Sequence, residues 1–231
     1  MKVESSWWQR CLPVKTILAV SLAFFPGELF CQILQPFPRQ DFETRTNVDA
    51  AHAVSRNTDF LLSGGLHYSQ DQGHIVYRKF STGFAFHWRK FLTAEPYYQF
   101  SQNDEPGSVH QYENRLAFAT IVGAPLRHWD IRDRNLGERR FILHKQECRY
   151  RNRLEFRHPL SIERRQLSVF VWDEVWYSTR SGKWYRNRVA LGAERRLHRR
   201  VSIEAYYIHQ NDGYSRPGNL DGIEMTLKTR F

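Results

Sequence analysis

The chain has 231 residues, 41% of them hydrophobic and 15% aromatic, with a formal net charge of +10 and a mean hydropathy of −0.62. Beyond Gln32 no uninterrupted run of about 20 apolar residues occurs, which excludes a helical membrane protein. A barrel stays open, because its strands need apolar side chains only at alternate positions. The arginines and lysines are spread along the chain and form no basic tail, so nucleic acid is not an expected partner.

Residues 1–31 have the pattern of a secretory signal peptide. Lys2, Arg10 and Lys15 precede the apolar stretch Ile17–Phe25, and Pro26-Gly27 breaks it. Cleavage is expected after Cys31. Phe30 before that cysteine argues against lipid anchoring, and the apolar core is too short to span a bilayer comfortably. Cys11 and Cys31 fall in the leader, which leaves Cys148 without an internal disulfide partner. Residues 32–40, with Pro36 and Pro38, form an extended lead-in.

From residue 41 to 231 one pattern recurs: an alternating run of about ten residues, then a polar turn. The runs are Asp41–Ala51, the weakest, then Thr58–Tyr68, Ile75–Trp88, Leu92–Gln102, Val109–Val122, Leu126–Arg139, Glu147–Arg157, Gln166–Tyr177, Trp184–Leu197, Val201–Gln210 and Leu220–Phe231. Short turns at Ser55-Arg56, Arg89-Lys90, Gly123–Pro125 and Leu197–Arg199 alternate with longer ones, as on the two rims of an outer-membrane barrel. A loop is expected near Phe141–Gln146. These are eleven runs, whereas bacterial single-chain barrels carry an even number. The expectation is ten strands, if Asp41–Ala51 is no full strand, or twelve, if one run is hidden. The fold class is therefore all-β, an antiparallel up-and-down transmembrane β-barrel of 10–12 strands.

The closing run sets the orientation. Ile223, Met225, Leu227, Thr229 and Phe231 share one side, while Gly222, Glu224, Thr226, Lys228 and Arg230 share the other. An arginine facing lipid at mid-bilayer costs about 2–4 kcal/mol, so the charged side is expected to face the lumen. That side carries Glu113, Arg115, Arg151, Arg153, Glu155, Arg157, Glu174, Arg186, Arg188, Glu204, Glu224, Lys228 and Arg230. At ten to twelve strands such a lumen is expected to be a largely filled Arg–Glu lattice, not a wide channel.

The segments Tyr112–Arg115, Tyr150–Phe156, Trp172–Tyr177, Tyr185–Arg188 and Tyr207–Asp212 resemble those of a bacterial family known as domain of unknown function 2490. The resemblance implies an outer-membrane β-barrel over about 41–231. It implies no reaction and no catalytic residues.

Other constellations are weak. A lipid hydrolase would need a serine–histidine pair, for which His198, His209, Asn211, Ser202 and Ser215 are the candidates. His67, His74 and His87 are too scattered for a closed metal site. Asn211-Asp-Gly213 is a turn signal first and a calcium ligand second. Trp172, Trp176, Trp184 and Tyr185 fit an aromatic girdle. The expected protein is a monomeric barrel of the Gram-negative outer membrane, structural or a narrow anion-leaning, porin-like passage. It is expected to be no enzyme and to need no cofactor or metal. Its expected partners are outer-membrane lipids and the barrel assembly machinery, met through the strand ending in Phe231. The rival functions are an outer-membrane lipid hydrolase and a soluble periplasmic lipocalin-like binding barrel.

Overall fold

A computed structural model describes residues 40–104, 110–143, 145–162, 165–213 and 218–231. The expected signal peptide (1–31) and all of the lead-in before Gln40 lie outside the described residues. Eleven strands follow one another: β1 (Gln40–Ser55), β2 (Thr58–Ser69), β3 (His74–Arg89), β4 (Leu92–Asn103), β5 (Gln111–Leu126), β6 (Trp129–Ile142), β7 (Lys145–Ile162), β8 (Arg165–Ser178), β9 (Lys183–His198), β10 (Val201–Asp212) and β11 (Asn219–Arg230). Each strand pairs with the next in antiparallel register, and β1 pairs with β11 to close the barrel.

The closure corrects two expectations. The weak first run is a full strand, so the count is eleven and not an even ten or twelve. An odd number of up-and-down strands leaves the first and last pointing the same way. The seam is accordingly a parallel ladder, running from Gln40 opposite Asn219 to Ala51 opposite Arg230. Beyond it the backbone of Phe231 donates to Ala51 O and accepts from Ala53 N.

The two rims differ as alternation predicts, except at 143–144, which is as short as any connection on the opposite rim. On one, the connections 56–57, 90–91, 127–128, 163–164 and 199–200 are each two residues long. On the other they are 70–73, 104–110, 143–144, 179–182 and 213–218. The break expected at Gly123–Pro125 is instead part of β5, which continues to Leu126. Past Val122 that hairpin has no β4 neighbour, so Pro125 sits on an edge where it is tolerated. The loop expected over Phe141–Gln146 shrinks to 143–144 because Leu143 adopts a left-handed φ of 48°.

The wall is apolar outside and polar inside. Phe80, Phe84, Phe86, Phe100, Leu116, Phe118, Leu191, Ile223, Met225 and Leu227 are exposed, whereas Glu43, Arg45, Glu113, Arg115, Glu138 and Glu174 are buried. One outer sector departs from this rule: Asn152 bonds Asp133 and Asn135, and Asn187 bonds Asp173, across β6 to β9. Two apolar clusters interrupt the charged interior. Phe170, Trp172, Ala190, Tyr206 and Ile208 form one; Ala117, Ala119 and Leu136 form the other.

Gly192 makes the first cluster possible. It lies opposite Phe170 on β8 and Tyr206 on β10, whose rings meet edge to face at 5.8 Å. A Cβ there would fall 2.3 Å from Tyr206 Cβ and 2.6 Å from the Ala205 carbonyl oxygen. Gly192→Val is therefore expected to cost about 1–3 kcal/mol by overpacking, seen as a lower midpoint in thermal denaturation followed by circular dichroism. At Gly64 the nearest atom to a new Cβ is 3.9 Å away, and Gly64→Ala is expected to lose no stability.

Candidate functional site

Strand register builds the lumen in ranks. Arg151, Trp176 and Arg186 stand side by side on β7, β8 and β9. The next rank is Arg153, Glu174, Arg188 and Gln210, and below it Glu155, Trp172, Ala190 and Ile208. Because side chains alternate, every second residue of these strands points to the same interior.

Two carboxylates among these ranks are completely covered. Glu138 accepts from Arg115 Nη1 at 3.0 Å and Arg149 Nε at 2.5 Å, with Arg151 Nη1 at 3.4 Å. Glu174 is 0% exposed; it accepts from Arg151 Nη2 at 2.8 Å and from the indole of Trp176 at 2.9 Å, with Arg153 Nε at 3.3 Å. On the seam side Glu43 holds Arg45 at 2.8 Å, and Glu224 accepts from Asn47 at 2.5 Å. Nearer the two-residue turns Arg157 joins Glu155, Glu194 and Glu204, and Lys228 bonds Glu204 at 2.6 Å. Arg230 reaches Asp59 at 2.9 Å.

All twelve residues Glu113, Arg115, Arg151, Arg153, Glu155, Arg157, Glu174, Arg186, Arg188, Glu204, Glu224 and Arg230 belong to this interior. Sequence reasoning missed Glu43 and Arg45 on the weak first run. It also missed Glu138 and Arg140 on β6, where both faces are charged and parity gave no signal. The girdle expected of Trp172, Trp176 and Tyr185 is a correction: Trp172 and Trp176 are 3% and 4% exposed and stack under arginines. Arg153 lies 4.1 Å over Trp172, and Tyr185 accepts from Arg149. Trp184 alone of the four is exposed outside.

The hydrolase candidates do not converge. Ser202 donates to Glu194 at 2.8 Å, His209 pairs with Asp221 at 2.7 Å at the long-loop end, and Ser215 lies outside the described residues. Near the two-residue turns His87 stands 3.1 Å from both Thr93 Oγ1 and Asp59 Oδ2, but Asp59 also binds Arg230 through both oxygens. His67 sits beside Glu43 and His74 against the Gln72 carbonyl, so the three histidines stay apart.

Space remains at both ends. A cavity of about 680 Å³ faces the two-residue turns and one of about 950 Å³ faces the long loops. Lys79, Gln99, Arg151, Arg153, Trp172, Tyr206 and Glu224 line both, forming the partition between them. Among the described residues each cavity is lined by eleven arginines and lysines against six carboxylates, so both present an excess of positive charge.

The sequence profile of the family described as "Protein of unknown function (DUF2490)" matches residues 44–220, from β1 into β11. The chain belongs to this family. No curated protein matches the DUF2490 chain. Among solved structures, LpxR from Salmonella typhimurium is similar over 79% of this chain and 87% of its own, with a TM-score of 0.49 and 7% identity. The siderophore receptor PirA from Pseudomonas aeruginosa is similar over 71% of this chain and 34% of its own, with a TM-score of 0.32 and 11% identity.

Breaking one buried ion pair leaves the partner charge uncompensated, at a cost of about 3–5 kcal/mol, whereas an exposed pair contributes about 0–1 kcal/mol. Equilibrium unfolding is therefore expected to show a loss of that larger size for Glu174→Ala. Asp130→Asn, which removes the exposed pair with Arg132, is expected to change little.

Proposed function

We propose that the protein is a small bacterial outer-membrane barrel with a filled, anion-leaning lumen. The observation that carries this reading is the inverted surface: exposed Phe, Leu, Ile and Met on the wall, and buried arginine–carboxylate pairs within. Water on both sides of such a wall would leave a broad apolar belt unsatisfied, and hydrocarbon outside satisfies it. The polar sector on β6 to β9 pairs its aspartates with asparagine amides, which lowers the cost of facing lipid. A lipocalin-like binder needs the opposite arrangement, an apolar lumen in a polar coat.

The short-turn rim adds support. Arg56, Arg89, Lys90, Arg127, Arg199 and Arg200 are exposed at its two-residue turns, where a membrane presents phosphate headgroups. Phe231 ends the closing strand on that rim, outside the wall, a position suited to recognition by the assembly machinery. Inside, the partition of stacked guanidiniums, tryptophans and carboxylates separates the two cavities and favours a stiffened wall over an open bore. The excess of arginine in both mouths favours anions over cations.

Expression with the native leader followed by fractionation is expected to place the protein in the outer membrane, with folded and boiled forms of different gel mobility. Recovery from the periplasm without detergent would remove the proposal. In planar bilayers the wild type is expected to give no large steady conductance, and any residual current is expected to be anion-selective. Phe118→Arg, on the exposed belt, is expected to lower folding stability in vesicles by about 2–4 kcal/mol.

A further inference from the structure

We propose that the long-loop cavity is a binding site for phosphate-class oxyanions, held by Arg188 together with Arg149, Arg151 and Arg186 around Trp176. The inference deepens the anion-leaning lumen proposed above and rests on that reading.

Four guanidiniums crowd one indole. Arg151 and Arg186 flank Trp176 in register, Arg149 and Arg188 lie one step to either side, and all four stand 4.2–4.4 Å from the ring centroid. Three of the four have carboxylate partners. Glu138 serves Arg149 and Arg151, Glu174 serves Arg151 and Arg153, and Asp212 serves Arg186 at 2.5 Å. Glu174 thus accepts its hydrogen bonds from Arg151 and the Trp176 indole and none from Arg188, which stands opposite it on β9. Arg188 has no ion-pair partner among the described residues, and its Nε donates to the neutral Gln210 Oε1 at 2.6 Å. Two further donors of the cluster, Arg149 Nη2 and Arg151 Nε, are buried without an acceptor.

All four arginines line the cavity of about 950 Å³ beside the long loops, while Glu138 and Glu174 are hidden from it. Among the described residues six carboxylates, Asp41, Glu43, Asp104, Glu113, Glu147 and Glu224, share that lining with eleven arginines and lysines, so the cavity keeps a surplus of cationic side chains. Positive charges packed this closely in a shielded site repel one another, and an oxyanion with several lone pairs relieves the repulsion. Phosphate suits the donors because guanidinium forks bind its oxygens in pairs. With four guanidiniums already crowded against it, Trp176 positions the arginines and is not free to stack a sugar. The cavity is within the size range of small-molecule sites.

The test is calorimetric titration of the purified full chain in detergent, first confirmed as folded by its heat-modifiable mobility. Inorganic phosphate and glucose 6-phosphate probe a soluble source, and dihexanoyl phosphatidic acid probes a lipid headgroup. At least one is expected to bind, with affinity at least about tenfold weaker in Arg188→Gln, partly restored in Arg188→Lys, and unchanged in Arg132→Gln at the other cavity. Phosphate is expected to raise the unfolding temperature of the wild type and not of Arg188→Gln, which in phosphate-free buffer is expected to be no less stable than the wild type. Binding of the solutes alone assigns a soluble ligand, and binding of the phosphatidic acid alone assigns a headgroup. The site is overturned if the folded barrel binds none of the three, if Arg188→Gln binds as well as the wild type, or if Arg132→Gln weakens binding as much as Arg188→Gln does. Failure of the membrane reading is visible separately, as loss of heat-modifiability and of insertion into vesicles.

Discussion

Two carboxylates, Glu138 and Glu174, sit fully covered in the middle of the lumen, and the interior is arranged to keep them charged. A lone carboxylate in that position would cost several kcal/mol. Each is met by guanidiniums from the next strand: Arg149 and Arg151 on β7 reach Glu138 on β6, and Arg151 and Arg153 reach Glu174 on β8. Arg151 belongs to both groups, so the β6–β7–β8 register is locked by shared charge as well as by the backbone ladder. A slip of one residue would turn the arginines outward and strand both carboxylates.

The tryptophans extend the same logic. An arginine lying flat on an indole keeps its charge and loses less hydration than one buried among aliphatics. Trp172 and Trp176 therefore let a narrow barrel hold many guanidiniums at close spacing. The small residues beside them, Ala190 and Gly192, give the rings room. The result is a lumen in which aromatic faces fill volume, arginines cover them, and carboxylates pair most of those arginines, with Arg188 left over among the described residues.

Much of this was legible in the sequence, because a period of two with charge on one side leaves few alternatives. The parity of Glu113 and Arg115, of Arg151 through Arg157, and of Glu224 through Arg230 placed them together before any coordinates. Three things were not legible. β6 carries Asp130, Arg132 and Arg134 on one face and Asp133, Asn135 and Arg139 on the other, so its inner face could not be chosen from charge. Tryptophan is at home at a membrane interface and under an arginine alike, and only register with β7 and β9 decides between them. The tight turn at Leu143 carries no glycine or asparagine to announce its left-handed backbone. The eleven runs themselves were visible; what hid the count was the rule that such barrels are even.

That odd count has a topological result. The chain enters the barrel beside the long loops and leaves it beside the two-residue turns, so Gln40 and Phe231 lie at opposite ends. Twelve residues rising about 3.3 Å each at a tilt of about 40° separate those ends by roughly 30 Å. In an even-numbered cylinder the first and last strands end on one rim, and a few residues would join them. Here any such tether must travel the full height, through the arginine-packed bore or along the oily exterior. The shortest splice able to make this ring endless is, in length and direction, a twelfth strand.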